Sequence, residues 1–404
     1  MGLQEFTIVF DNQMATYYPG QTVSGNVVLT LNAIKKVRGI SIKIKGEANT
    51  KWSSDKREMD ERGNYETETE TVRGYENYFE TKYYLVGSAS GVEIEIQQGE
   101  HRFPFSCALP ATLPSSFESD YGHIRYTVKA TLDRPWKFDQ DVKAAFTIVD
   151  PLDLNHIPSA FEPVNEEMSK TFCCLCCGSP PLTVNYSLPV RGYVPGQTMP
   201  IKVNVENSSG VRVIELKLKL YKVVTYRAAI PRFDTKVEEI TVKQVSRGPI
   251  DGNETMEYEQ GLDIPPLPPS NLANCGIIDL SYVLEVRAAV EGWYHEDLKE
   301  STGIYIGSIP LVNYQRPSAP PIDPSYPIKA NAPYPTSPDP APNYSPPVPQ
   351  PPTSNLYPDL PPPSYMEATD PARNLRERGE SENVIGLTNI FAPRYPVYNF
   401  TAPK

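Results

Sequence analysis

Two stretches of this chain alternate apolar and polar residues with a period of two, and the second copies the first. In residues 37–45, Ile40, Ile42 and Ile44 point one way and Ser41, Lys43 and Lys45 the other. Residues 211–219 repeat the pattern and keep Lys217 and Lys219 on the outward side. Alternate side chains of a strand point to opposite faces, so both stretches predict half-buried β-strands. The repetition reaches further. Pro19-Gly20-Gln21-Thr22 recurs as Pro195-Gly196-Gln197-Thr198, with Pro before Gly as a tight turn prefers. An apolar strand precedes each turn, at 5–10 and 182–186, and another follows it, at 23–31 and 201–205. The kinks Leu109-Pro110 and Leu113-Pro114 stand where residues 264–269 stand in the second unit, and both suit an edge or a crossover. Alternating strands come next in each unit, at 124–132 and 278–290; further strands are predicted at 78–86, 92–96 and 145–149.

A repeat this long means two copies of one domain rather than a solenoid. Short alternating strands, turn signals and almost no helical period predict an all-β fold. It consists of two immunoglobulin-type β-sandwiches in tandem, residues 1–150 and 179–313, with a linker at 151–178. Glu166-Glu167-Met168 predicts helical character inside the linker. Residues 51–74, dominated by charge, Thr and Asn, predict a long exposed loop. Nineteen of the 43 prolines fall between Pro317 and Pro363, which sets off residues 314–404 as a disordered Pro/Tyr-rich tail. Within it, residues 373–382 predict a transient helix, and residues 389–400 regain aromatic side chains that suit docking.

A net charge of -11 without a basic stripe disfavours nucleic acid, because neutralising phosphates needs clustered Lys and Arg. No run of about 18 apolar residues predicts a membrane span. The first residues lack the basic and apolar regions of a signal peptide, and Phe6 stands where a myristoylation signal wants Ser or Thr. Six cysteines in such a context read as reduced thiols, so the expectation is a cytoplasmic protein with peripheral membrane association only. His101, His123, His156 and His295 are scattered, and no nucleophile elbow, phosphate loop or carboxylate pair appears. The expectation is therefore a non-enzyme with no cofactor and no metal. Cys173, Cys174, Cys176 and Cys177 form the one cysteine cluster. Three readings stand beside each other: thiolates for zinc, an S-acylation site, and inert reduced thiols.

The motifs of the tail are docking peptides. In Leu360-Pro361-Pro362-Pro363-Ser364-Tyr365 the prolines pre-form a polyproline II helix, which loses little entropy on binding. Pro362, Pro363 and Tyr365 make the Pro-Pro-x-Tyr form that WW domains read in aromatic-lined grooves. Pro317-Ser318-Ala319-Pro320 has the form recognised by the ubiquitin-variant domain of ESCRT-I. Tyr357-Pro358-Asp359-Leu360 has the spacing of an endocytic sorting signal. Residues 323–326 and 341–344 are degraded Pro-x-Tyr copies that lack the first proline.

Together these features resemble the arrestins, and most closely the α-arrestins, the arrestin domain-containing proteins. In the first unit the resemblance rests on Tyr18-Pro19-Gly20-Gln21, Phe103-Pro104-Phe105, Leu113-Pro114-Ser115-Ser116-Phe117, Arg125-Tyr126 and Leu132-Asp133-Arg134-Pro135-Trp136. In the second it rests on Gly192-Tyr193-Val194-Pro195-Gly196, Val205-Glu206-Asn207, Cys275-Gly276-Ile277-Ile278, Ser281-Tyr282 and residues 306–311. The linker cysteines also look like those of the family. The resemblance implies an adaptor that brings WW domains of Nedd4-type HECT ubiquitin ligases to membrane receptors or transporters, promoting ubiquitination, endocytosis and trafficking at the plasma membrane and endosomes. Two alternatives are a receptor-desensitising scaffold of the β-arrestin kind and a vesicle-budding factor that recruits ESCRT-I. Two departures stand out: there is one Pro-Pro-x-Tyr where members often carry two, and residues 237–262 hold no cysteine, so thioredoxin control of the kind one member uses is not expected.

Overall fold

Ile40, Ile42 and Ile44 are fully buried on the strand Gly39–Met59, as their alternation requires. The computed structural model describes residues 2–59, 65–135, 137–174, 177–293, 295–312, 349–352, 356–357, 362–369, 372–376, 380 and 384–400. In the first sandwich, a three-stranded sheet of Leu3–Phe10, Thr22–Leu31 and Gly99–Ala108 faces a larger one. The larger sheet runs Thr16–Tyr17, Gln140–Ile148, Gly122–Asp133, Gly39–Met59 and Tyr65–Gly87. The second sandwich repeats the plan. Val164–Lys170, Leu182–Leu188, Thr198–Asn207 and Glu254–Asp263 form one sheet; Gly192–Tyr193, Leu298–Ile306, Ile278–Val290, Val213–Ala228 and Asp234–Arg247 form the other.

The repeat extends to single hydrogen bonds. The buried Tyr126 hydroxyl donates to the Pro114 carbonyl at 2.7 Å, and the buried Tyr282 hydroxyl donates to the Pro268 carbonyl at 2.7 Å. Two residues beyond each proline a serine hydroxyl accepts a strand amide: Ser116 from Ile148 and Ser270 from Ile306, both at 2.9 Å. A buried phenol needs a partner, so each pair fastens a proline-rich crossover to its own sheet. Arg125 and Glu118 add a buried two-pronged ion pair at 2.7 Å in the first unit.

Three expectations are corrected. Residues 51–59 and 65–74 are not loop: they pair with each other as the ends of the strands Gly39–Met59 and Tyr65–Gly87, while residues 60–64 lie outside the described residues. Buried Trp52 and Val72 face each other at the base of this pairing, Lys56 opposes Glu68, and the threonines between favour a pleated backbone. Glu166-Glu167-Met168 lies in the strand Val164–Lys170, so the second sandwich draws on the stretch read as linker. Its buried residues, Val164 and Met168, are four apart, a spacing that serves one face of a helix and one face of a strand equally. The linker turns are instead 3-10, at Leu154–His156 and Pro158–Phe161. The tail reading divides. Residues 313–348 lie outside the described residues, whereas the later tail carries Ser364–Glu367 paired with Arg394–Val397, and Arg373–Asn374 paired with Ile390–Phe391. Residues 373–374 are thus strand where the helix was expected to begin, residues 377–379, 381 and 382 lie outside the described residues, and the aromatic stretch from 389 does dock.

The sandwiches share one apolar core, and polar contacts cross between them. Arg73 and Ile230 exchange backbone hydrogen bonds, Thr50 donates to the Arg227 carbonyl at 2.7 Å, and the Gly276 amide reaches Glu76 at 3.1 Å. Asp150 ends the first unit and accepts from the Asn274 side chain of the second at 3.4 Å. Burial pushes the Asp150 carboxyl up to about 6, and the Asn274 bond offsets only part of that. Its folded pKa exceeds the unfolded value, so its favourable contribution is complete below the unfolded pKa and is lost as pH rises through about 6. We expect Asp150→Asn to gain melting temperature over the parent progressively between pH 4 and pH 7, then hold a constant lead; a difference that does not vary with pH contradicts this. Arg125→Ala should cost about 3–5 kcal/mol in denaturant unfolding, because Glu118 is left buried and unpaired.

A candidate peptide-binding crest

The tail meets Tyr18, at the head of the first repeated Pro-Gly turn, and Pro195 of the second; the surface they form together is the crest. In the first turn the Tyr18 amide donates to the Gln21 side chain at 2.9 Å, and the Gln21 amide to the Tyr18 carbonyl at 3.1 Å. In the second, Val194 and Gln197 make the same two bonds at the same two lengths. Gly20 and Gly196 hold φ of +80° and +92°, which a residue with a Cβ rarely adopts. Gly196 has a second reason to be glycine: an added Cβ would lie 2.0 Å from the Tyr398 carbonyl oxygen.

Tyr365 of the predicted WW ligand sits in this crest with 6% of its surface exposed. Its hydroxyl contacts those of Tyr18 and the carbonyl of Pro349, and its ring packs with Tyr18, Val149 and Tyr395. Pro363 is buried and Pro362 exposed. The strand Ser364–Glu367 is tied to Arg394–Val397, reinforced by Ser364 on the Val397 carbonyl at 3.1 Å and by Arg394 on Glu367 at 3.0 Å. From the partner strand the Tyr395 hydroxyl donates to the Ser116 carbonyl of the first sandwich at 2.7 Å. Tyr398 reaches the second sandwich, its hydroxyl on the Ser308 carbonyl at 2.9 Å and its amide on the Pro195 carbonyl at 3.0 Å. Burial pushes the Tyr365 phenol up to about 12 and raises Tyr18 and Tyr398 further, so these hydroxyls remain donors at physiological pH.

A second contact lies on the strand Gln140–Ile148. The Lys143 ammonium, 1% exposed, donates to the Leu375 carbonyl at 3.1 Å and to Glu380 at 3.0 and 3.2 Å. Its backbone amide donates to Ile385, whose amide donates to Asp141. Arg373 pairs with Asp120. Between the tail, the base of the strand pair Gly39–Met59 and Tyr65–Gly87, and Ile230 is a cleft of about 920 Å³, lined by charges of both signs: Lys51, Arg73 and Arg376 against Glu47, Asp120 and Glu380.

The other predicted sites fare differently. Pro317, Ser318, Ala319 and Pro320 lie outside the described residues, as does Cys176. Of Cys173, Cys174 and Cys177 the backbone is described, as a small hairpin of Cys173–Cys174 with Cys177–Gly178. Tyr357 donates to Asp153 at 3.1 Å, while the rest of its sorting-type tetrad is outside the described residues. Lys35, Lys36 and Arg38, close together in the first unit, each have a partner: Gln140, Glu95 and Asp133. No group of residues suited to a metal ion occurs among the described residues, and no helix there is long and apolar enough to cross a membrane. Sequence reasoning named Tyr365 and expected residues 389–400, which hold Tyr395 and Tyr398, to dock, but it missed Tyr18 as a partner and Lys143.

The arrestin (or S-antigen) N-terminal domain model matches residues 6–155, and the C-terminal domain model residues 179–311. The chain is 32% identical over 317 residues to arrestin domain-containing protein 17 of Caenorhabditis elegans, covering 77% of this chain and 72% of the relative. It is 29% identical over 286 residues to arrestin domain-containing protein 1 of Mus musculus, covering 70% and 61%. Over 311 residues it is 29% identical to arrestin domain-containing protein 4 of the mouse, covering 76% and 72%. The match therefore spans less than two thirds of the mouse protein 1.

Replacing Lys143 by Met should leave Glu380 and the Leu375 carbonyl without their ammonium donor. Local opening should become easier by about 2 kcal/mol, read as roughly thirtyfold faster amide exchange at Leu375 and Ile385 with the sandwich strands unchanged. Unaltered exchange at both amides would show that the lysine does not hold this segment.

Proposed function

Since the chain belongs to the α-arrestin family, the arrestin domain-containing proteins, we propose that it is an adaptor whose sandwiches engage a membrane cargo while Pro362, Pro363 and Tyr365 recruit a WW domain of a Nedd4-type HECT ubiquitin ligase. The observation that carries this reading is the Pro-Pro-Ser-Tyr tetrad itself, whose last two residues lie in a strand that pairs with the tail's own Arg394–Val397. The prolines supply a pre-formed extended shape, and the tyrosine supplies a ring with a polar end for a second pocket. The chemistry of ubiquitin transfer then belongs to the recruited ligase. The cargo would become its substrate through proximity, which a linked pair of binding sites provides as effective concentration.

A single contact of this kind has a Kd on the order of micromolar, about -8 kcal/mol, and releases readily. A cargo adaptor needs that reversibility. Binding also requires Tyr365 to leave the crest, because its ring and hydroxyl are already engaged there. Titration of the full chain with an isolated WW domain from such a ligase tests the reading. Tyr365→Ala should abolish measurable binding, and Tyr357→Ala should leave it within twofold of the parent. Equal binding by the parent and Tyr365→Ala would remove the tetrad from the account.

A further inference from the structure

We propose that the crest formed by Tyr18, the Ser116 and Ser308 carbonyls and the Pro195-Gly196 turn is a binding site for tyrosine-bearing peptide, which the chain's own strand Ser364–Glu367 and residues 394–398 occupy in competition with WW domains. The competition rests on the WW reading above; occupancy of the crest does not.

The site is made by the sandwiches, not by the tail. Its three principal acceptors are backbone carbonyls at Ser116, Ser308 and Pro195, held in place by strands and by the second Pro-Gly turn. Carbonyl oxygens buried beside apolar surface need donors. A tyrosine meets that need with one side chain, because its ring covers the apolar surface and its hydroxyl reaches the oxygen. Two tyrosines three residues apart do this, Tyr395 on the first sandwich and Tyr398 on the second, while Tyr365 meets the Tyr18 hydroxyl beside them. Phenylalanine would leave the carbonyls unpaired. A phosphorylated tyrosine would set negative charge against carbonyl oxygens, so the site selects the unmodified residue.

Crest and WW domain exclude each other for a geometric reason. A WW groove takes Tyr365 and its prolines as an extended, accessible peptide. In the crest Tyr365 and Pro363 are buried and residues 364–367 are paired with 394–397. One copy of Tyr365 cannot satisfy both. The apparent affinity for a ligase is therefore the intrinsic affinity multiplied by the fraction of chains whose crest is empty. Because Tyr395 holds one sandwich and Tyr398 the other, a displacement of one sandwich against the other breaks the pair of contacts and empties the crest.

Three samples test this with one isolated WW domain as probe: the full chain, the full chain with Tyr395→Ala and Tyr398→Ala, and a synthetic peptide of residues 357–369. The expected result is that the peptide binds at least tenfold more tightly than the parent chain, and the double variant within threefold of the peptide. A parent chain that binds as tightly as the peptide overturns the competition. Amide exchange reads the crest independently of any ligase. Residues 364–367 should be protected in the parent and unprotected in the double variant, with Val128 and Val286 unchanged in both to show intact sandwiches. If the peptide itself does not bind, the WW reading fails, and the exchange result alone decides whether the crest is occupied. No protection at 364–367 in the parent overturns the site whatever the binding shows.

Discussion

A phenol removed from water must find a hydrogen-bond partner, and much of this molecule is arranged around that requirement. In each sandwich a buried tyrosine reaches back to a proline carbonyl, Tyr126 to Pro114 and Tyr282 to Pro268, and thereby fixes the crossover between its two sheets. Tyr186 and Thr302 join opposite sheets of the second sandwich at 2.8 Å. The tail uses the same device with Tyr395 and Tyr398, whose acceptors belong to different sandwiches. Tyr258 is an exception, its buried hydroxyl having no partner among the described residues. The strength of the tail contact comes from combining ring burial, typically worth a few kcal/mol, with carbonyls that lose their donors when the tail leaves.

The two sandwiches are coupled where they meet. They share a continuous apolar core, exchange backbone hydrogen bonds between Arg73 and Ile230, and are joined again through Leu152 and Ser308. Ser308 thus lies at the foot of the linker and also accepts from Tyr398, so linker, second sandwich and tail converge on one residue. Such a frame suits an adaptor. The sandwiches offer surfaces to a partner, and the tail carries the Pro-Pro-Ser-Tyr tetrad.

The strands that could be read from sequence are those with an apolar side. Residues 37–45 and 211–219 alternate because one face of each strand enters the core, and the Pro-Gly turns could be read because their backbone needs a residue without a Cβ. The pairing of residues 51–59 with 65–74 could not, since beyond Trp52 and Val72 it has no buried face and its threonines and charges also suit a loop. The stretch 164–170 was ambiguous because Val164 and Met168 fit either period. The tail shows the plainest limit. Its composition correctly says that it has no core of its own, but composition is silent on whether the core of another segment will accept it. Tyr365 was visible as a ligand because its neighbours are prolines; Tyr18 as its partner was not, because that pairing joins residues far apart in the chain.

In the proposed competition, Tyr365 rests inside the crest until a WW domain draws it out. Selective methyl labelling of the full-length chain permits a direct look, since the methyls of Val149 and the ring of Tyr365 belong to one buried cluster. The account predicts a nuclear Overhauser contact between them in the free protein, identified by its absence in Tyr365→Phe labelled on tyrosine only, and its disappearance when an isolated WW domain is added. A free protein with no such contact, and with Tyr365 ring signals at the positions of a short peptide, would contradict it.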